Sequence, residues 1–166
     1  MADIISNSPS RRFLSTLYSG TWEHEHPRRI LAGISPEQAC TQIDGLPYTI
    51  AGLLSHMCYW QDRRVELSNG QAELPEGFQF GVTDFPAVGP DDWNGLVEHF
   101  HATLSELLAT TEREGAMDLL LFDDRDVGAV ILSHALHNSY HFGEIVLMRR
   151  LLGNWPPPED LRPEEY

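Results

Sequence analysis

Residues 127 to 152 carry a helical stripe that is apolar except where three histidines interrupt it. Val127, Val130, His134, His137, His141, Ile145, Met148 and Leu152 recur along one side of a helix at about 100° per residue, with His137 some 60° from His134. An imidazole placed where a packing helix takes Leu or Ile costs desolvation unless each ring nitrogen finds a partner. Histidines repeated at such positions need a common explanation, and a bound metal ion supplies one. The first expectation is therefore a metal site carried on a long helix.

The rest of the chain reads as helix too, and no segment alternates at period two. One amphipathic pattern follows Ser8-Pro9 through Phe13, Leu14, Leu17 and Tyr18, is disturbed at Gly20 and Pro27, and resumes at Ile30-Leu31. Ser35-Pro36-Glu37-Gln38 is a capped start for a short helix ending near Asp44-Gly45. A long helix runs from the cap Thr49 to Asn69-Gly70 and turns Leu53, Leu54, His56, Met57, Trp60 and Arg64 inward. Another opens at Asp91-Asp92 and follows the seam Trp93, Leu96, Val97, Phe100, Leu104, Leu107 and Leu108. The histidine helix closes at Gly153, before Pro156-Pro157-Pro158.

About 20 Gly-, Pro- and Phe-rich residues, Gly70 to Pro90, separate the second and third of the main helices. A loop of that length is uncommon inside a domain and is often functional. It can also run the roughly 30 Å of a 20-residue helix, which lets those two helices lie parallel. The fold class expected is all-α, a four-helix bundle with one long crossover. A chain of 166 residues, 42% hydrophobic, is expected to form one domain over 1–166, with 154–166 as an extended, Pro- and Glu-rich tail.

Composition removes several functions. Twenty-five acidic against 11 basic residues leave a net charge of −14, and the arginines are scattered, so nucleic-acid binding is not expected. Every basic residue is Arg, which rules out Schiff-base chemistry and a lysine phosphate loop. Cys40 and Cys58 are too few for a disulfide framework or a cysteine zinc site. No signal peptide and no run of 18 apolar residues appears, so the expected setting is cytoplasmic, with no membrane partner.

His137 and His141, spaced i, i+4, put two imidazoles on neighbouring turns of one face, a common way for a helix to offer two metal ligands. His56 shares an inward face with Leu53 and Trp60 on the helix that opens at Thr49. Were those two helices neighbours, His56, His137 and His141 would form a facial three-His set with open coordination positions. The alternative is three separately satisfied core histidines. His134 competes with His137, and spacing alone does not choose between them. Glu144 is either a base or ring-orienting group beside the site, or a solvated residue at the edge of the stripe. His24, His26, His99 and His101 read as surface residues, and Cys58 as a buried thiol pointing away from His56.

The run from Leu136 to Pro156 (LHNSYHFGEIVLMRRLLGNWP) resembles the last helix of the DinB/YfiT-like superfamily, where His-x-x-x-His-x-Gly-Gln-Ile precedes a Leu-Arg stretch and a closing Gly. Tyr48 to Gln61 (YTIAGLLSHMCYWQ) is similar to the second helix of that family, with its single histidine. The resemblance spans nearly the whole chain. It implies an up-down-down-up four-helix bundle, often a homodimer, and a divalent metal, zinc or nickel with iron also possible. Carried over by position, the implied ligands are His56, His137 and His141, which decides against His134. Glu144 departs from the pattern, standing where the family most often has Gln.

Some relatives in that superfamily are metal-dependent transferases acting with low-molecular-weight thiols. The expected function is accordingly a divalent-metal-dependent thiol S-transferase acting on a small molecule. A metal at an open site can lower the pKa of a thiol and hold it for attack on an electrophile. Two alternatives stand beside it: a metal-dependent hydrolase, and a non-catalytic, stress-related dimer whose metal is structural.

Overall fold

The computed structural model describes residues 11–20, 24–70, 74–122 and 125–159. Its longest element is the histidine helix, and local chemistry fixes both ends. The Asp126 carboxylate accepts from the Ala129 N–H at 2.7 Å, which starts α6 (Val127–Leu151). Gly153, at φ 69°, ends it in the left-handed conformation that a side chain resists, while Leu152 and Gly153 donate back to Met148 and Arg150. Val127, Val130, His134, His141, Ile145 and Met148 of the stripe are buried, and His137 is half-buried.

Ahead of it come α1 (Arg11–Ser19), α2 (Pro27–Leu31), α3 (Pro36–Ala39), α4 (Ile50–Ser68) and α5 (Trp93–Glu112). The Ser8-Pro9 start expected for the first helix lies outside the described residues. Helix α3 has the expected capping box, Ser35 with Gln38, but stops at Ala39 and not near Gly45. Thr49 caps α4 through the Gly52 N–H. Both α1 and α4 pack against α5 and α6, around a core that includes Leu14, Leu53, Met57, Trp93, Phe100, Phe142 and Ile145.

The fold is mostly helical, with one small exception that the sequence did not signal. Leu120–Phe122 (β1) pairs antiparallel with Arg125–Asp126 (β2) just before α6. Segments of three and two residues are too short to show alternation at period two. No helix among the described residues is long and apolar enough to cross a membrane.

A buried polar interlock fixes the register of α4 against its neighbours. Gln61 Nε2 donates to Phe100 O at 2.7 Å and Thr103 Oγ1 at 2.6 Å, while its Oε1 accepts from Asn138 Nδ2 at 3.2 Å. A slip of one residue would strand these groups without partners in the interior, at about 1–3 kcal/mol each. The interlock therefore ties α4, α5 and α6 together one turn from His56 and one residue from His137.

The tail does not leave the body at once. Asn154 donates to Gly33 O and Gln38 Oε1, and Trp155 lies 5.2 Å from the Arg149 guanidinium. Residues 160–166 lie outside the described residues.

Candidate metal centre

His56 on α4 faces His137 and His141 on α6, and their ring nitrogens point at one another. His56 Nε2 and His141 Nε2 lie 3.2 and 3.1 Å from His137 Nε2. All three potential ligand atoms fall within 4.8 Å of each other. For metal–nitrogen bonds of 2.0–2.1 Å, the ligand–ligand edge is roughly 2.9 Å in an octahedron and roughly 3.3 Å in a tetrahedron. The two edges to His137, 3.2 and 3.1 Å, fall between these values.

The hydrogen bonds on the far sides of the rings decide where the protons sit. His56 Nδ1–H donates to the Asp84 carbonyl at 2.9 Å, and His141 Nδ1–H donates to Glu144 Oε2 at 2.6 Å. A neutral imidazole with its proton on Nδ1 presents a bare lone pair at Nε2. Two lone pairs thus converge on His137 Nε2, which can offer a single proton at most, and His137 Nδ1 is buried without a partner. A cation among the three Nε2 atoms would satisfy all of them, so the donor set fits a divalent metal. No carboxylate or thiol among the described residues joins the group, which leaves coordination positions open.

Burial keeps the His56 and His137 rings neutral. Burial pushes His137 down to about 4, assisted by the neighbouring His141 and His56. Burial also lowers His56, against the opposing pull of the Asp84 carbonyl. Neutral imidazole is the ligating form.

Glu144 is not a solvated edge residue. One carboxylate oxygen accepts from His141 Nδ1–H at 2.6 Å and the other from the Tyr48 hydroxyl at 2.7 Å. Burial, and then its bond to Glu144, hold that hydroxyl protonated well above the usual phenol range. Both oxygens are thereby committed, and Glu144 orients the His141 ring. The carboxylate accepts at both oxygens, where an amide could accept at only one of its two ends.

The crossover segment builds the other wall. Phe85 stacks on His56 with ring centroids 4.1 Å apart, and Asp84 accepts from Trp60 Nε1–H and the Gly81 N–H. A cavity of about 360 Å³ opens beside the histidines, lined by His56, Trp60, Arg64, Phe80, Asp84, Ser133, His134 and His137. His134 lies behind the ligand group, its Nδ1 2.9 Å from the Tyr18 hydroxyl. Cys58 points the other way, its Sγ 3.9 Å from Leu96 O, and burial raises its thiol far out of the reactive range.

Three surface expectations need correction, since His24, His26 and His101 are each half-buried. His24 is half-buried, with its ring nitrogens 2.8 and 2.9 Å from Glu25 O and Leu17 O and its ring against Phe142. His101 is also half-buried, pushed by burial down to about 4 beside Arg28. His26 caps α2 through the Arg28 N–H. Only His99 is exposed, paired with Asp62.

Spacing along a helix singled out His56 and His141 and left His134 beside His137 as a candidate, and the resemblance chose between those two. Spacing could not find Tyr48, Asp84 or Phe85, whose roles depend on how the loops fold back. A weak signal existed for Asp84: an acid among the glycines and aromatics of a long crossover. Comparison with protein-family models, curated proteins and solved structures finds no match to this chain.

Proposed function

We propose that this chain is a DinB-like four-helix metalloprotein that uses a three-histidine divalent-metal site, zinc or nickel, for thiol S-transfer to a small-molecule electrophile. The observation that carries the reading is the convergence of three imidazole nitrogens beside a cavity, with no fourth ligand among the described residues. A structural zinc site is usually closed by four protein ligands, whereas a catalytic one keeps a position open. The motifs around His56 and from His137 to Gly153 support the family assignment, and the packing of α1 and α4 on α5 and α6 is compatible with its up-down-down-up bundle.

When bound, a divalent cation would supply Lewis acidity that lowers the pKa of a thiol at an open position. The protein's part is positional. His56, His137 and His141 hold the cation; Asp84 and Glu144 fix two of the rings; Phe85 and Trp60 wall the cavity. No side chain of this set is a reactive nucleophile, since the Cys58 thiol is buried elsewhere. An external thiol therefore suits the site better than a protein-borne one.

The test is conjugation of a chloro-dinitroaryl electrophile to glutathione, mycothiol and bacillithiol by zinc- and nickel-loaded protein. Thiol-dependent turnover that chelation abolishes is expected. Turnover of ester or amide probes without thiol would replace this reading with the hydrolase, and inertness in both assays would replace it with the non-catalytic one.

A homodimer belongs to the same proposal. Leu136, Tyr140, Leu147 and Leu151 are exposed and fall within about 60° on the outer face of α6. Light scattering is expected to give twice the chain mass, and Leu147→Asp to return it to one.

A further inference from the structure

The cavity beside the histidines has a charge that no anion among the described residues answers. Arg64 on α4 lines it, half-buried, with its guanidinium 5.3 Å from the Trp60 ring. That guanidinium makes no hydrogen bond and no ion pair among the described residues, and its Nε is buried without a partner. A desolvated guanidinium with no anion is costly to maintain. The one acid in the same wall, Asp84, is already committed to Trp60, Gly81 and His56.

His134 supplies a second unanswered group. It is 1% exposed, yet it lines the same cavity with its Nε2 unpartnered. The Tyr18 hydroxyl donates to Ile131 O at 3.0 Å, so it accepts the His134 Nδ1 proton at 2.9 Å and leaves Nε2 as a bare acceptor. A ligand completing this wall brings an anion to Arg64 and a donor to His134. Phe80 and Trp60 offer it an apolar, aromatic flank.

We infer that the cavity binds a small carboxylic acid, with its carboxylate on Arg64 and a hydroxyl or amine on His134 Nε2. Guanidinium pairs with carboxylate through two parallel hydrogen bonds, which orients as well as attracts. This deepens the proposed function, on which it rests for the cavity's being a substrate site: the carboxylate end would anchor at Arg64 while the rest of the molecule extends toward His56 and His137. Arg64 and His134 are positioning residues here, since neither lies among the three converging nitrogens.

The test is calorimetric titration of the full chain, metal-loaded and metal-free, with mandelate, its neutral amide and phenylacetate. Mandelate is expected to bind about tenfold to a hundredfold tighter than mandelamide, the worth of a hydrogen bond to a charged group. Phenylacetate, which lacks the hydroxyl, is expected to bind about two- to tenfold more weakly than mandelate. Arg64→Gln should bring mandelate to the level of its amide, and Arg64→Lys should restore part of the difference. The comparison of the three ligands on the wild-type protein needs no variant, so a folding defect in either substitution cannot obscure it.

Equal binding of mandelate and mandelamide by wild-type protein with a full complement of metal overturns the anion site and leaves the metal reading standing. An Arg64-dependent preference in protein that takes up no metal supports the anion site while the metal reading fails. Phenylacetate binding as tightly as mandelate overturns the assignment of His134.

Discussion

Replacing His137 by Ala is expected to cut metal affinity by more than about a hundredfold, because even partners that only orient a ligand are worth about 10–100-fold. Elemental analysis after dialysis should fall from one divalent ion per chain to background. The fold should survive, since His137 is half-buried and its Nδ1 has no bond to lose. Unchanged metal content would place the metal elsewhere and end the three-histidine reading. Glu144→Gln makes a graded companion. It keeps the volume and one acceptor, removes the charge, and leaves either His141 or Tyr48 facing an amide N–H. The expected loss is about tenfold, measured by competition with a chromophoric chelator. A fully retained affinity would mean that the 2.6 Å contact to His141 does not tune the site.

The site and the body of the fold were legible to different depths, for a physical reason. Helical periodicity reports which residues share a face, so His137 and His141 could be paired and His56 could be placed inward. The caps Thr49 and Gly153 and the acids Asp91-Asp92 mark helix ends by local chemistry, and α4, α5 and α6 start or stop close to those marks. Residues that act through tertiary position left little trace. Tyr48 precedes a cap, and Asp84 and Phe85 lie in a turn-rich crossover, so their partners, 24 to 96 residues away, cannot be inferred from spacing. His24 and His101 sit beside positions that read as solvent-facing, and they are half-buried because α1, α2 and α6 close over them.

Arg149 shows the same limit at the other end of α6, where a basic residue in the last turn of a helix suggests solvent and a dipole contact. It is in fact completely buried. Its Nε donates to Asn154 O at 3.0 Å, Nη1 to Ile30 O at 2.5 Å and Arg29 O at 3.3 Å, and Nη2 to Asn154 Oδ1 at 2.9 Å. Arg29 and Ile30 lie in the last turn of α2, whose carbonyls have no partner within so short a helix. One guanidinium thus caps α2 and pins the turn after α6 with the same planar fork, which an ammonium could not reproduce. Burial lowers it to about 10, so it stays charged at neutral pH.

Arg149→Ala would leave these oxygens buried and unpaired, and is expected to cost about 3 kcal/mol or more, at about 1–3 kcal/mol for each stranded group. For a chain of this size that lowers Tm by about 6–12 °C. Arg149→Met restores the volume but not the donors, and should recover only a minor part. Metal content measured well below Tm should not change, because His141 lies eight residues away, roughly 12 Å along the helix. A Tm within about 2 °C of wild type would show that the α2 carbonyls are hydrated in solution, and that the guanidinium does not hold α2 against α6.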